Sequence, residues 1–232
     1  MNGPNAMREA DAMIDYLSGF VTGQRLQRMQ AVLAERTRYA TVVVEDIYQP
    51  HNASAVLRTC DCFGVQDVHI IENRNAYRLN PGVELGTAQW LTLHRYNGEP
   101  DNTPRAIAHL RDQGYRIVAT SPHADQTTLE QFDIDAGPFA LLFGTELDGL
   151  TDTAVSLADE HLIIPMYGFV ESFNISVSVA IALHHLTHQL RSSTVDYRLS
   201  PDDRRDLLLG WLRSTIARVE QIEARFHARS SE

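Results

Sequence analysis

Between Leu162 and Leu190 the chain reads L-I-I-P-M-Y-G-F-V-E-S-F-N-I-S-V-S-V-A-I-A-L and continues through His184. An apolar, strand-like run stops at Pro165, Gly168 sits in a short loop, and Glu171, Ser172 and Asn174 precede a long apolar element. Small polar groups set this tightly between two buried elements predict the centre of a binding site. Two more loops follow apolar runs, at Thr120-Ser121-Pro122 and Gly144-Thr145-Glu146. Small residues in all three let a backbone approach a ligand closely. Arg58 lies between Leu57 and Cys60 in an apolar stretch, where an arginine either snorkels outward or does chemistry. Each polar residue also has a plainer role: Asn174 can cap a helix, and Glu146 and Ser172 can cap loops by hydrogen bonding.

Several chemistries are excluded. The 20 basic residues are all arginine. Without lysine there is no Schiff-base mechanism and no P-loop lysine. The dinucleotide fingerprint G-x-G-x-x-G is absent too. Two cysteines, Cys60 and Cys62, are too few for a disulfide framework or a four-ligand zinc site, and they suit a reducing cytoplasm. His184, His185 and His188 lie close together but have no acidic or thiol ligand beside them; they read as a helix surface. No metal is expected. No apolar run reaches the ~18 residues of a membrane span, and the N-terminus lacks a secretory pattern.

The elements that position these loops alternate. Thr41–Val44 is β-branched, and Pro50 ends that extended segment. Asn52 or His51 can cap a helix from Ala53 to Phe63, stopped by Gly64, before a strand at Val68–Ile71. This β-α-β unit predicts a parallel sheet. Residues 72–100 read as loop-rich, with a short helix within Leu79–Trp90. Thr103 caps a helix over Pro104–Gln113, followed by strands at Arg116–Thr120, Phe139–Phe143 and Leu162–Ile164. Leu150-Thr151 leads into a helix through Leu157. Residues 175–181 alternate like a strand, but the length of the run to Leu190 favours a helix. Residues 6–35 are helical, with a break at Gly19 or Gly23, and one amphipathic helix from Ser200-Pro201 carries Leu207 through Phe226. The latter is expected to pack against the N-terminal helix. The whole is an open α/β sheet of five or more strands, whose ligands bind at the strands' carboxyl ends.

A net charge of −10 at first argues against nucleic acid, but residues 41–189 hold seven arginines and 19 acids, while the two ends are slightly basic. Arg25, Arg28, Arg36 and Arg38 cluster on either a solvated helix face or an RNA-facing one.

Three segments, N-A-S-A-V-L-R-T-C-D-C-F-G-V, F-G-T-E-L-D-G-L and I-P-M-Y-G-F-V-E-S-F-N-I-S-V-S-V-A, resemble in order the three motifs of the SpoU/TrmH branch of SPOUT methyltransferases. The resemblance spans roughly residues 42–190. It implies S-adenosylmethionine as cofactor and a homodimer. It also implies an open, mostly parallel α/β sheet with a C-terminal deep trefoil knot, which periodicity could not reveal. Residues 41–190 would be the methyltransferase domain, with helical extensions over 1–40 and 191–232. The implied activity is 2′-O-methylation of a guanosine ribose in the tRNA D-loop, of the guanosine-18 type. Rival readings are another tRNA position, ribosomal RNA, or a noncatalytic RNA-binding dimer; neither DNA nor a membrane is an expected partner. By motif position, Thr120, Gly144, Ile164, Met166 and Phe173 would hold the cofactor. Asn52, Arg58, Glu146, Ser172 and Asn174 would serve catalysis and RNA binding. A guanidinium holds its proton too strongly to be a good base. Arg58 is therefore expected to bind the adjacent phosphate and ease loss of the hydroxyl proton, directly or by relay. RNA contact would rest on the four arginines of the first cluster and those from Arg204 onward, and would weaken steeply with salt.

Overall fold

The computed structural model describes residues 4–84, 86–121, 127–145 and 147–230. Glu146 and most of the S-P-H-A-D loop, residues 122–126, lie outside the described residues. In chain order the elements are α1 (Pro4–Ser18), α2 (Gly23–Glu35), β1 (Ala40–Glu45), α3 (Pro50–Phe63), β2 (Asp67–Ile71), α4 (Pro81–Glu84), a 3-10 turn (Thr87–Trp90) and β3 (Thr92–Tyr96). There follow α5 (Thr103–Asp112), β4 (Arg116–Thr120), β5 (Thr127–Thr128), a 3-10 turn (Ile134–Ala136), β6 (Phe139–Phe143), α6 (Asp152–Leu157), β7 (Glu160–Ile163), α7 (Ile175–Ser192), α8 (Pro201–Thr215) and α9 (Val219–Ser230).

Residues 1–36 and 198–232 form one compact unit and residues 37–197 another. In the helical unit, α8 packs on α1 and α2, and α9 packs on α1. Leu17, Met29, Leu33, Trp211 and Leu212 are buried there. The single C-terminal helix expected from the sequence is two helices. Arg218 takes a left-handed φ of 56° between them. The bend is clamped by Arg213 Nε donating to Glu223 at 2.7 Å, and it brings Phe226 to 5.2 Å from the Tyr16 ring. The first arginine cluster also needs correction. Arg36 is 1% exposed, with its guanidinium 5.5 Å from the Trp211 ring, so it is a core residue and not an RNA-facing one. A cation over an indole face recovers part of what burial costs. Arg25 and Arg28 are exposed.

The larger unit is a parallel sheet of seven strands in the order β3-β2-β1-β6-β4-β7-β5. Strands β1, β2 and β6 are buried at every position, as a sheet covered on both faces requires. Successive side chains point to opposite faces. Val42 and Val44 therefore join the core under α3 and α7, while Val43 joins the core under α5 and α6. The run from Ile175 is a helix, with Val179, Leu183, Leu186 and Leu190 buried along one side.

Among the boundaries that differ from the sequence reading, three carry a physical reason. Helix α3 starts at Pro50, not Ala53, because proline needs no hydrogen-bond acceptor in the first turn. Helix α5 starts at Thr103, whose hydroxyl donates to Glu45 instead of capping. Strand β7 begins two residues early, at Glu160, which pairs with Arg116. Strand β3 was hidden in the stretch read as loop. It forms the sheet edge in register with β2, Asp67 opposite Thr92 and Ile71 opposite Tyr96.

This edge carries a buried polar chain. The His69 and His94 rings stack at 4.4 Å, and His94 Nε2 meets Asp67 at 2.7 Å. Tyr96 Oη lies 2.9 Å from His69 Nδ1 and 2.6 Å from His109 Nδ1. Burial opposes the charge on Asp67, but the bonds from His94 and Arg38 outweigh it and hold its carboxyl below the ordinary value. For His69, burial and the neighbouring His94 and His109 outweigh the pull of Asp67, so it titrates only at about 3. The unfolded chain takes up this proton near pH 6.5 and the folded one does not, so stability falls as pH drops from about 6.5 towards about 3. From about pH 7 to about pH 5.5, His69 contributes a loss of about 1 kcal/mol. Denaturant unfolding at the two pH values checks this. His69→Gln is expected to flatten the dependence by one proton; an unchanged slope would show that His69 does not supply it.

Candidate active site

The carboxyl ends of β6, β4 and β7, neighbours in the sheet, open on a cavity of about 360 Å³. Thr120 and Ser121 reach it from β4, Phe143, Gly144 and Thr145 from β6, and Leu162, Ile164 and Met166 from β7 and its extension. Glu171, Ser172, Phe173, Ile175 and Ser178 close one side, and Leu147 through Leu150 another. All five residues expected at a cofactor, Thr120, Gly144, Ile164, Met166 and Phe173, thus meet on one cavity.

Each wall is fixed by local chemistry. Thr120 Oγ1 donates to the Leu142 carbonyl at 2.7 Å, which ties β4 to β6 and engages the hydroxyl away from any ligand. Ser121 N–H donates to the Leu162 carbonyl at 3.1 Å, tying β4 to β7. Past Gly144, Thr145 and Gly149 exchange two backbone hydrogen bonds of 3.0 and 3.1 Å, closing the 145–149 loop on itself. A Cβ on Gly144 would lie 2.0 Å from the Gly149 carbonyl carbon, so only glycine fits there.

The residues expected to do chemistry are placed unequally. Ser172 lines the cavity. Asn174 caps α7: its Oδ1 accepts from Ser176 N at 3.0 Å and from the Ser176 hydroxyl at 2.6 Å. Its Nδ2 donates to Asn52 Oδ1 at 3.2 Å, joining the starts of α7 and α3. Asn52 is buried in the first turn of α3, not at its cap. Arg58 is exposed, about 9 Å further along the helix axis. Its Nη1 donates to the Val83 carbonyl at 3.3 Å, and it does not line the cavity. Placement of Glu146 lies outside the described residues.

Sequence reasoning passed over Asp148, although it stands in the quoted F-G-T-E-L-D-G-L segment. With Glu171 it gives the cavity wall two carboxylates. Anionic walls suit a cationic ligand. The donor set fits S-adenosylmethionine: strand-end backbone groups, an apolar lining from Leu147, Ile164, Met166 and Phe173, and the Glu171 carboxylate for a positive charge, the Asp148 carboxylate being paired with Arg74 at 3.3 Å. Among the described residues, no group of His, Cys, Asp and Glu could hold a metal ion, and no helix is long and apolar enough to cross a membrane. The surface beside two of these lining segments, Leu147 and the stretch between Met166 and Glu171, is unusually apolar. Leu147, Tyr167 and Phe169 are almost fully exposed, and Val170 largely so.

Comparison with known proteins agrees with this geometry. The family model described as the SpoU rRNA Methylase family matches residues 39–184. The tRNA (guanosine(18)-2′-O)-methyltransferase of Borreliella burgdorferi is 43% identical over 210 residues, covering 90% of this chain and 94% of that protein. The crystal structure of the A. aeolicus TrmH/SpoU tRNA modifying enzyme superposes with a TM-score of 0.73 at 28% identity, over 82% of this chain and 96% of that one. The methyltransferase AviRb of Streptomyces viridochromogenes, solved in complex with AdoMet, shares the fold at a TM-score of 0.59 and 23% identity, over 69% of this chain and 64% of that one. A match over more than half of the chain, and a relative this similar over nine tenths of it, place the chain in the SpoU methylase family.

Proposed function

We propose that this chain transfers the methyl group of S-adenosylmethionine to the 2′-hydroxyl of a guanosine ribose in tRNA, at position 18 in the D-loop; its Borreliella relative is named a tRNA (guanosine(18)-2′-O)-methyltransferase. The observation that carries the reading is the meeting of Thr120, Gly144, Ile164, Met166 and Phe173 on one cavity at the strand ends.

The bound cofactor supplies an electrophilic methyl group on sulfur. Thr120 and Gly144 would offer it backbone groups, and Ile164, Met166 and Phe173 an apolar slot. The remaining task is to hold a ribose hydroxyl in line with that methyl group, and positioning supplies much of such a rate. Ser172 on the cavity wall orients the ribose. Asn174 and Asn52 fix the start of α7 against α3 and so keep Ser172 in place. Arg58 binds the phosphate beside the target ribose, and its charge eases departure of the hydroxyl proton. The motif resemblance gives Glu146 a place in the same work.

The remaining assignments follow this reading. The exposed apolar rim of Leu147, Tyr167, Phe169 and Val170 suits burial against a second copy, which supports a homodimer. Residues 41–190 are the methyltransferase domain, knotted as in the family it resembles, with extensions over 1–40 and 191–232. Exposed Arg25, Arg28, Arg213, Arg218 and Arg225 are the arms' candidates for tRNA phosphates. The cytoplasm is the proposed location.

The family description favours one rival, methylation of ribosomal RNA. Labelled methyl transfer to unmodified bulk tRNA and to ribosomal RNA, followed by mapping of the modified nucleotide, decides. The expected result is label in tRNA at guanosine 18. Label in ribosomal RNA alone replaces the reading, and tRNA binding without transfer would leave a noncatalytic dimer.

A further inference from the structure

Two acids at the end of β1, Glu45 and Asp46, are each 1% exposed, and nothing in the motif reading uses them. Glu45 accepts three hydrogen bonds. Oε1 takes the hydroxyls of Thr103, at 2.5 Å, and Thr151, at 2.9 Å; Oε2 takes the Thr151 N–H at 2.8 Å. Thr103 Oγ1 itself accepts from Asn73 Nδ2 at 2.9 Å, so its one proton must go to Glu45. Thr151 is the N-cap of α6, its Oγ1 accepting from Ala154 N at 3.2 Å. Glu45 therefore also sets which way that hydroxyl points.

Thr151 ends the loop that begins at Gly144, whose residues 144–150 line the cavity wherever they are described. Asp46, at a left-handed φ of 55°, gathers the N–H groups of Asn73, Arg74 and Asn75 on Oδ1 at 2.7, 2.8 and 3.2 Å. Arg74 in turn pairs with Asp148 on the cavity wall at 3.3 Å. One end of the cavity loop is thus moored to β6 at Gly144 and the other to β1 through Glu45, with Arg74 holding the middle.

We propose that Glu45 is a positioning residue for the methyl-transfer site, fixing the 144–151 loop through Thr151 so that the cofactor cavity stands preformed. The proposal rests on the reading of that cavity as the S-adenosylmethionine site. At metal centres, groups that orient the ligands commonly matter about 10- to 100-fold, and an effect at the low end of that range is expected here.

The test measures S-adenosylmethionine affinity calorimetrically on the full chain without RNA, alongside steady-state kinetics with tRNA. A glutamine at position 45 has one acceptor oxygen, and its amide nitrogen would face either the Thr151 N–H or the two hydroxyls. Glu45→Gln is therefore expected to weaken affinity about tenfold, and Thr151→Val comparably, with kcat at saturating cofactor within about threefold and KM for tRNA unmoved. Thr151→Ser keeps both bonds and is expected to restore affinity. Thr103→Val removes a hydroxyl from the same carboxylate without touching the loop, and should cost stability but at most about threefold in affinity.

If wild-type protein binds no S-adenosylmethionine, the reading of the cavity falls and the proposal with it. If wild type binds and folded Thr151→Val or Glu45→Gln binds equally well, only the proposal falls. Equal losses in Thr103→Val and Thr151→Val would make Glu45 a general structural post and overturn it too. Should Glu45→Gln not fold, Thr151→Asp, which keeps a cap for α6 but has no hydroxyl to give Glu45, is compared with Thr151→Ser, and equal affinity of the two overturns the proposal.

Discussion

Gly144→Ala is expected to abolish measurable S-adenosylmethionine binding and, with it, methyl transfer, an effect of about 100-fold or more. The new Cβ would lie 2.0 Å from the Gly149 carbonyl carbon, 2.1 Å from its oxygen and 2.2 Å from Leu150 N, all backbone atoms. No rotamer change relieves a clash with backbone. The loop would have to open the Thr145–Gly149 bridge, giving up two hydrogen bonds, while Glu45 still held Thr151 at the far end. Overpacking of this kind costs about 1–3 kcal/mol where neighbours can shift and more where they cannot. Here the atoms that must shift are the wall of the cavity itself. Calorimetric titration with S-adenosylmethionine and a thermal scan check both halves: lost binding together with a melting point lowered by several degrees. Gly210→Ala, on the exposed face of α8, is the control, because a Cβ there meets nothing within 4 Å. It should bind within about twofold of wild type, as a surface substitution away from special geometry does. Wild-type affinity in Gly144→Ala would show that the cofactor does not depend on this turn.

How far the sequence revealed all this depends on where each residue's partners lie. Strands β4 and β6 were legible to the residue, because a strand covered on both faces must be an apolar run. Strand β3 was not. Its T-L-H-R-Y is an edge, and edges are kept polar to discourage pairing with other chains, so it looked like loop. Pro50 read as a stop when it is the first residue of a helix, five residues past the end of β1. Of the site, the cavity wall was legible because strand-end loops and motif order both pointed to it. The Glu45 mooring was not: Glu-Asp after a strand looks like a solvated turn, and its partner Thr151 is 106 residues away. Arg36 failed in the opposite sense. Beside three other arginines it read as a charged surface, and only the fold brings Trp211 over it.

Arg58→Ala is expected to lower single-turnover methyl transfer by about 100-fold or more, while leaving cofactor affinity and stability nearly unchanged. That combination follows from its position. Arg58 is exposed, does not line its own chain's cavity, and makes one 3.3 Å hydrogen bond to the Val83 carbonyl. Truncating an exposed side chain of this kind changes stability by about 0.5 kcal/mol or less. Its effect should therefore appear only once RNA is bound, when, on the proposed reading, the guanidinium meets the phosphate beside the target ribose. Arg58→Lys separates two accounts of that effect. A lysine keeps the charge but not the planar fork that grips two phosphate oxygens at once. If bidentate grip aligns the ribose, Arg58→Lys should still lose about tenfold or more in the single-turnover rate. If charge alone eased the hydroxyl's deprotonation, lysine would serve almost as well. A group acting as base would behave differently again: lysine, with the lower pKa, is available as free base at lower pH and would move the pH profile to lower pH. Near-normal single-turnover methylation by Arg58→Lys would therefore end the bidentate account, and an acid-shifted profile would make the arginine the base. The expected result, a slow variant with an unshifted profile and unchanged cofactor affinity, leaves Arg58 as the residue that places the RNA against a cavity built without it.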